Sequence, residues 1–169
     1  MGNKLDVFTN DKYVENEKGK LYFMVGLARS GKTTICRKLS KEFNAIILTQ
    51  DSFRLAVYDR AYLTESEPIV FSHLDVSARA LLINGTNVII DETNTLLWRR
   101  NHWRSLGGVG FYVNTPVEVC ISRCNPENVE LIGAIKRMDK NLDGFNPNDP
   151  TELIMRQYVW DGLDMKVMQ

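Results

Sequence analysis

Residues 26–33 read GLARSGKT and fit the pattern GxxxxGK[ST]. The chemistry that needs this pattern is phosphate binding. With no bulky side chain at Gly26 or Gly31, the loop can wrap its N–H groups around phosphate oxygens. A helix opening at Lys32 adds unpaired backbone donors and the positive end of its dipole. Lys32 supplies a mobile positive charge for the β- and γ-phosphates, and Thr33 a hydroxyl for Mg²⁺. The implied ligand is a nucleoside triphosphate, ATP with Mg²⁺, with contacts expected from Gly26, Ser30, Gly31, Lys32, Thr33 and Thr34. Arg29 lies inside the loop, and its long cation either reaches the phosphates or points to solvent.

Two further stretches add acids. NVIIDETN (87–94) is a mostly apolar run that ends in Asp91 and Glu92, and either carboxylate at a strand end can hold Mg²⁺ or its waters opposite Thr33. TQDSFR (49–54) follows the apolar run AIILT. In an open parallel sheet ligands lie beyond the carboxyl ends of the strands. Asp51 there can take a proton from an incoming hydroxyl, and Arg54 can hold an anionic group or orient Asp51. The competing reading makes Asp51 a helix cap for the turn that begins at Ser52, which leaves Arg54 without a role. DKNLDG (139–144) matches half of a calcium loop, but Pro150 stands where the bidentate glutamate belongs, so it reads as a helix end with a polar stop.

These residues need a scaffold that brings strand ends together. LYFMV (21–25), AIILT (45–49), NVIID (87–91) and VGFYV (109–113) are continuous apolar runs, as expected of strands buried on both faces of a parallel sheet. Helical stripes lie between them. They cover 32–43 (Ile35, Cys36, Leu39, Phe43), 68–83 (Leu74, Ala78, Leu81, Leu82), 116–124 with Pro116 in its first turn, and 129–142 (Leu131, Ile135, Met138, Leu142). FNPNDP (145–150) is a loop, and ELIMRQYVW (152–160) fits a strand or a helix. Repeated β-α order implies a three-layer α/β fold: a mainly parallel sheet of about five strands with helices on both faces.

Composition narrows the class. The chain has 169 residues, 44% hydrophobic and 25% charged, as in an ordinary globular domain. Lys+Arg and Asp+Glu both number 21, so bulk charge gives no argument for coating nucleic acid, although a local basic patch is compatible with it. Three cysteines without a CxxC pair point to a reduced, cytoplasmic setting, and Cys120 and Cys124 share a buried helix face. The polar N-terminus lacks the apolar core of a signal peptide, and no apolar run approaches a membrane span. His73 and His102 are isolated and read as structural.

GLARSGKT, DSFR, and IIDETN followed by WRR together resemble the P-loop 5′-hydroxyl polynucleotide kinases, notably the kinase half of the bacteriophage enzymes. The resemblance runs over about 21–140 and is clearest over 21–54 and 87–100. It implies that Asp51 is the general base for a nucleic-acid 5′-OH and that Arg54 contacts the acceptor phosphate and that base. Lys32 and Thr33 keep their phosphate and Mg²⁺ roles. Glu92 aligns with the family's acid when the Thr-Asn pair is matched, and Asp91 precedes it. Arg123 matches one lid arginine. Glu127 stands where a second might follow, and Arg137 is its possible substitute, with a solvated face shared with Lys136 and Lys140 as the rival reading. Ala28 and Arg29 depart from the family's loop.

The expected organisation is a polar leader or edge element over 1–20 and a single P-loop kinase domain over 21–169, with no phosphatase segment. The expected activity is transfer from ATP to the 5′-OH end of DNA or RNA, with Arg99, Arg100 and Arg104 as further nucleic-acid contacts or as a solvated helix face. The rivals are a kinase of a small hydroxyl-bearing metabolite, nucleoside or antibiotic, and a non-catalytic NTP-binding switch.

Overall fold

In the computed structural model, residues 18–59 and 64–168 are described. Six strands form one sheet: β1 (Leu21–Val25), β2 (Ala45–Leu48), β3 (Asn87–Ile90), β4 (Val109–Asn114), β5 (Ile154–Trp160) and β6 (Met165–Met168). Their order is β2-β3-β1-β4-β5-β6. The first five are mutually parallel and β6 runs antiparallel to β5. The helices are α1 (Lys32–Glu42), α2 (Gln50–Tyr58), α3 (Glu67–Ile83), α4 (Leu97–Ser105), α5 (Val117–Ser122) and α6 (Val129–Asn141).

Alternation along the central strand β1 sends its side chains to two cores. Tyr22 and Met24 pack with Ile35, Cys36 and Leu39 of α1, while Leu21, Phe23 and Val25 pack with Leu74, Ala78 and Leu82 of α3 and Trp103 of α4. The expected three-layer arrangement is therefore present, with one more strand than expected. A third cluster joins Leu27 to Cys120, Cys124 and Ile135, fastening α5 and α6 behind the glycine loop. All three cysteines are free and buried. No helix among the described residues is long and apolar enough to cross a membrane.

Several expectations need adjustment. The segment that fitted either type is strand β5. β2 is an edge strand with Ile46 exposed, so it is not buried on both faces. Pro116 is the N-cap of α5 and not a residue of its first turn. His102 is not isolated, since its Nε2 lies 2.8 Å from Asp75 Oδ1, and His73 stacks on Phe53. Residues 1–17 of the expected leader lie outside the described residues. Gly19 and Lys20 tie to Leu82 and Asn87, through N–H bonds to the Leu82 carbonyl and the Asn87 side chain.

Arg100 and Arg104 are removed from the candidate nucleic-acid contacts. Arg100 is 3% exposed and donates to both carboxylate oxygens of Glu152 and to the carbonyls of Asn94 and Thr95. Arg104 donates to the same Glu152 at 2.5 Å. Buried Glu152 neutralises two guanidinium groups and anchors the turn before β5 to α4. Replacing Glu152 with alanine leaves both cations without their carboxylate and should cost about 3–5 kcal/mol of stability, measured by denaturant unfolding.

Candidate active site

The strand ends β1, β2 and β3 open onto one cleft of about 1460 Å³, lined by the glycine loop, the start of α2 and residues 91–96. Local backbone demands explain the glycines. Gly26 has φ +148°, and a Cβ there would lie 2.6 Å from the Val113 carbonyl oxygen. Gly31, the residue before α1, has φ +102°, a region that favours glycine. The Gly26 N–H donates to the Thr93 carbonyl, and buried Asn94 donates to the Met24 carbonyl while accepting from the Trp103 indole. These bonds sew the loop after β3 to the loop after β1. They carry Asp91 and Glu92 into the cleft that Thr33 and Thr34 also line.

Lys32 is buried, and its ammonium donates to the Leu27 carbonyl at 2.5 Å and sits 3.5 Å from Ser30 Oγ. The cation expected to be mobile is held on its own loop. Burial pushes its pKa down to about 8, against the pull of Asp91 and Glu92. Ser30 is fully buried and its carbonyl accepts from Thr115. Arg29 has φ +64° and an exposed side chain, and its carbonyl accepts from Arg123 at 2.9 Å. Arg123 also stacks over Trp160, 4.4 Å from the ring centroid. Arg123 and exposed Arg137 both line the cleft.

The opposite wall is α2. Thr49 is its N-cap, accepting from the Asp51 N–H at 3.3 Å. The cap reading of Asp51 is thus set aside. The Asp51 side chain is 76% exposed, and its Oδ1 accepts from Arg54 Nη1 at 2.6 Å. Arg54 is 7% exposed, and its other edge meets Glu67 at the start of α3, with Nε–Oε1 and Nη2–Oε2 both 2.7 Å. Burial works against this charge, but Glu67, Glu92 and Asp51 together outweigh it and hold the Arg54 pKa above the ordinary arginine value. Gln50 is 1% exposed, and its Oε1 accepts from Arg54 Nη2 and Arg99 Nη1 at 3.0 and 3.3 Å. Glu67 and Gln50 were missed by sequence reasoning. The signal for Glu67 was indirect: a buried arginine demands a carboxylate, and 13 residues separate the two. Of the three arginines on α4, Arg99 lines the cleft.

Glu92 accepts the Gln50 N–H at 2.6 Å, so it holds the start of α2 to the end of β3. Burial raises its pKa from 4.5 to about 7, with the Gln50 N–H pulling the other way. Glu92 keeps its proton in the folded chain at pH values where the unfolded chain has lost it. Its contribution to stability is present below pH 4.5 and is lost as pH rises through about 7. Glu92→Gln keeps an oxygen for Gln50 and carries no charge. In chelator it should stabilise the protein by roughly 1–3 kcal/mol at about pH 8 and have little effect at about pH 4, as thermal unfolding at the two pH values would record.

Residues 21–127 match a family described as AAA domain. A tRNA dimethylallyltransferase of Campylobacter jejuni (strain RM1221) is 26% identical over 138 residues, covering 70% of this chain and 45% of that protein. Among solved structures, a chain of the Pnkp1/Rnl/Hen1 RNA repair complex is 25% identical with TM-score 0.63, covering 81% of this chain and 49% of that one. The Mycobacterium tuberculosis APS kinase CysC, solved with AMPPNP and APS, shares the fold at 20% identity and TM-score 0.54, covering 67% of this chain and 72% of that one. This chain spans about half the length of the first two. The fold is that of the P-loop kinases.

Proposed function

The chain belongs to an AAA-domain family, its residues 21–127 matching over more than half its length, and on that premise we propose that it transfers the γ-phosphoryl group of ATP to the 5′-hydroxyl end of a nucleic acid. The observation that carries this reading is the wall facing the glycine loop: an exposed carboxylate, Asp51, hydrogen-bonded to a buried arginine, at the carboxyl end of a parallel strand. That pair supports a reading with an acceptor over a nucleotide-binding module without one.

Gly31, Lys32, Thr33 and Thr34 line the cleft and bind the triphosphate through backbone N–H groups, the amine and the hydroxyls, while Gly26, whose N–H is held by the Thr93 carbonyl, and fully buried Ser30 shape the loop behind them. The Thr33 hydroxyl and the Asp91 and Glu92 carboxylates are hard oxygen donors on one cleft. Among the described residues no group of three or more acidic, histidine or cysteine side chains could hold a metal alone. That set fits Mg²⁺, which takes one or two carboxylates and completes its shell with phosphate oxygens and water. When bound, Mg²⁺ supplies charge neutralisation at the phosphates. Asp51 takes the proton of the acceptor hydroxyl as its oxygen bonds to the γ-phosphorus, and the bond from that phosphorus to ADP breaks. Arg54 orients Asp51 and holds the acceptor's nearest phosphate. Lys32 and Arg123 stabilise charge on the group in transfer, with Arg137 as a further cation on the same cleft. Arg99 is the contact for the strand beyond the first nucleotide.

The kinship with a chain of an RNA repair complex supports the nucleic-acid acceptor. A panel of 5′-OH oligonucleotides, nucleosides and sugars tests it, with ATP consumption as the readout. An oligonucleotide should be the best acceptor, and its KM should rise severalfold between about 50 and about 200 mM salt as phosphate contacts weaken. A sugar or nucleoside preferred at every salt concentration would replace the nucleic acid with a small metabolite, and no acceptor-stimulated consumption would leave a binding module.

A further inference from the structure

We propose that Glu67 is a positioning residue for the transfer step, acting on Asp51 through Arg54. The inference rests on the reading of Asp51 as the group that takes the acceptor's proton.

The three side chains form a row on the cleft wall, with Arg54 as its buried centre, its side chain 9% exposed. Glu67 on one side is 19% exposed, and Asp51 on the other is 76% exposed. Between them the guanidinium of Arg54 is divided. Its Nε and Nη2 edge meets both oxygens of Glu67 at 2.7 Å, a two-point contact that fixes the plane of the group. Nη2 also reaches Gln50 Oε1 at 3.0 Å. That leaves Nη1 to meet Asp51, and it meets only Oδ1, at 2.6 Å. Asp51 Oδ2 accepts no hydrogen bond among the described residues, so one carboxylate oxygen stays available to a hydroxyl.

The division matters because an arginine fork prefers to grip both oxygens of a carboxylate. Asp51 and Arg54 sit three residues apart on α2, close enough for that grip. Glu67, held at the first turn of α3, occupies the edge that would otherwise turn onto Asp51. Removing it lets Arg54 take both Asp51 oxygens and close off Oδ2. It also releases the angle at which Asp51 meets the acceptor. Displacements of about 1 Å in such a group can cost on the order of 10²-fold in rate.

The test is a double-mutant cycle with Arg54→Lys, whose ammonium cannot form the fork, read in single-turnover transfer to the best acceptor found for the wild type. Glu67→Ala in the wild-type background should lower the rate about 10- to 100-fold, with KM for ATP unchanged. In the Arg54→Lys background the same change should have no further effect. Thermal unfolding establishes that each variant is folded. If Glu67→Ala is not, Glu67→Gln, with the same shape and one remaining oxygen, carries the same comparison with a smaller loss. Full activity in the Glu67 variant, or an equal loss in both backgrounds, would overturn the proposal. A wild type that transfers to no acceptor would instead overturn the transferase reading, and this inference with it, before any variant is made.

Discussion

Asp51→Asn should lower phosphoryl transfer by about 10²- to 10⁴-fold, the range a positioned general base supplies. Asparagine has the same shape, and its carbonyl oxygen still accepts from Arg54 Nη1, so the wall of the cleft keeps its form. What it loses is the capacity to take a proton. Asp51 is largely exposed and none of its hydrogen bonds reaches the glycine loop. Nucleotide affinity and thermal stability should therefore stay close to the wild type. Equal loss of nucleotide binding and transfer would mean that Asp51 serves the triphosphate and not the acceptor. Full transfer by the variant would remove it from the reaction.

Lys32→Met should cost about 10²- to 10³-fold in the transfer rate, the effect of removing one preorganised donor from developing charge. Its stability effect should be small or favourable, because the change exchanges a buried amine for an apolar side chain of similar length in the first turn of α1. That pairing of outcomes separates a functional loss from unfolding. The same residue gives binding a pH dependence. Burial holds its pKa near 8, so above that pH the amine is largely neutral before the nucleotide arrives. A polyphosphate favours the ammonium form, so binding should take up a proton and weaken as pH rises above about 8. Calorimetry in buffers of different ionisation enthalpy would register the uptake, and Lys32→Met should abolish it.

The parts of this architecture that were legible in the sequence are those where one physical demand dominates. Residues 21–25 and 87–90 are buried strands, and burial on two faces writes itself as an unbroken apolar run. Gly26 and Gly31 mark positive φ values at a loop that returns to a helix, and the pattern around them names its ligand. The ends of the sheet were harder. β2 has one exposed face yet reads as apolar as the centre, and β5 mixes Met155, Arg156 and Gln157 with buried Tyr158, a pattern that suits either element. The candidate site was legible as far as single stretches carry it. Asp51 and Arg54 share one turn of helix, and Asp91 and Glu92 end one strand. Glu67 was not legible, because its partner is fixed by how α2 and α3 pack and not by spacing. Arg99 and Arg100 are neighbours in sequence and point about 100° apart on α4, so one lines the cleft and the other is buried. Trp103, three residues after Arg100 and fully buried, shows which face of α4 turns inward.

The central claim is that a hydroxyl held between Asp51 and the glycine loop receives the γ-phosphoryl group at the 5′ end of a nucleic acid. It is tested most directly by incubating the protein with Mg²⁺, γ-labelled ATP and a 5′-OH oligonucleotide, then digesting the product to mononucleotides. The account predicts label on the 5′-phosphate of the terminal nucleotide alone, formed by the wild type and not by Asp51→Asn. Label found only in inorganic phosphate, or remaining in ATP, would contradict it.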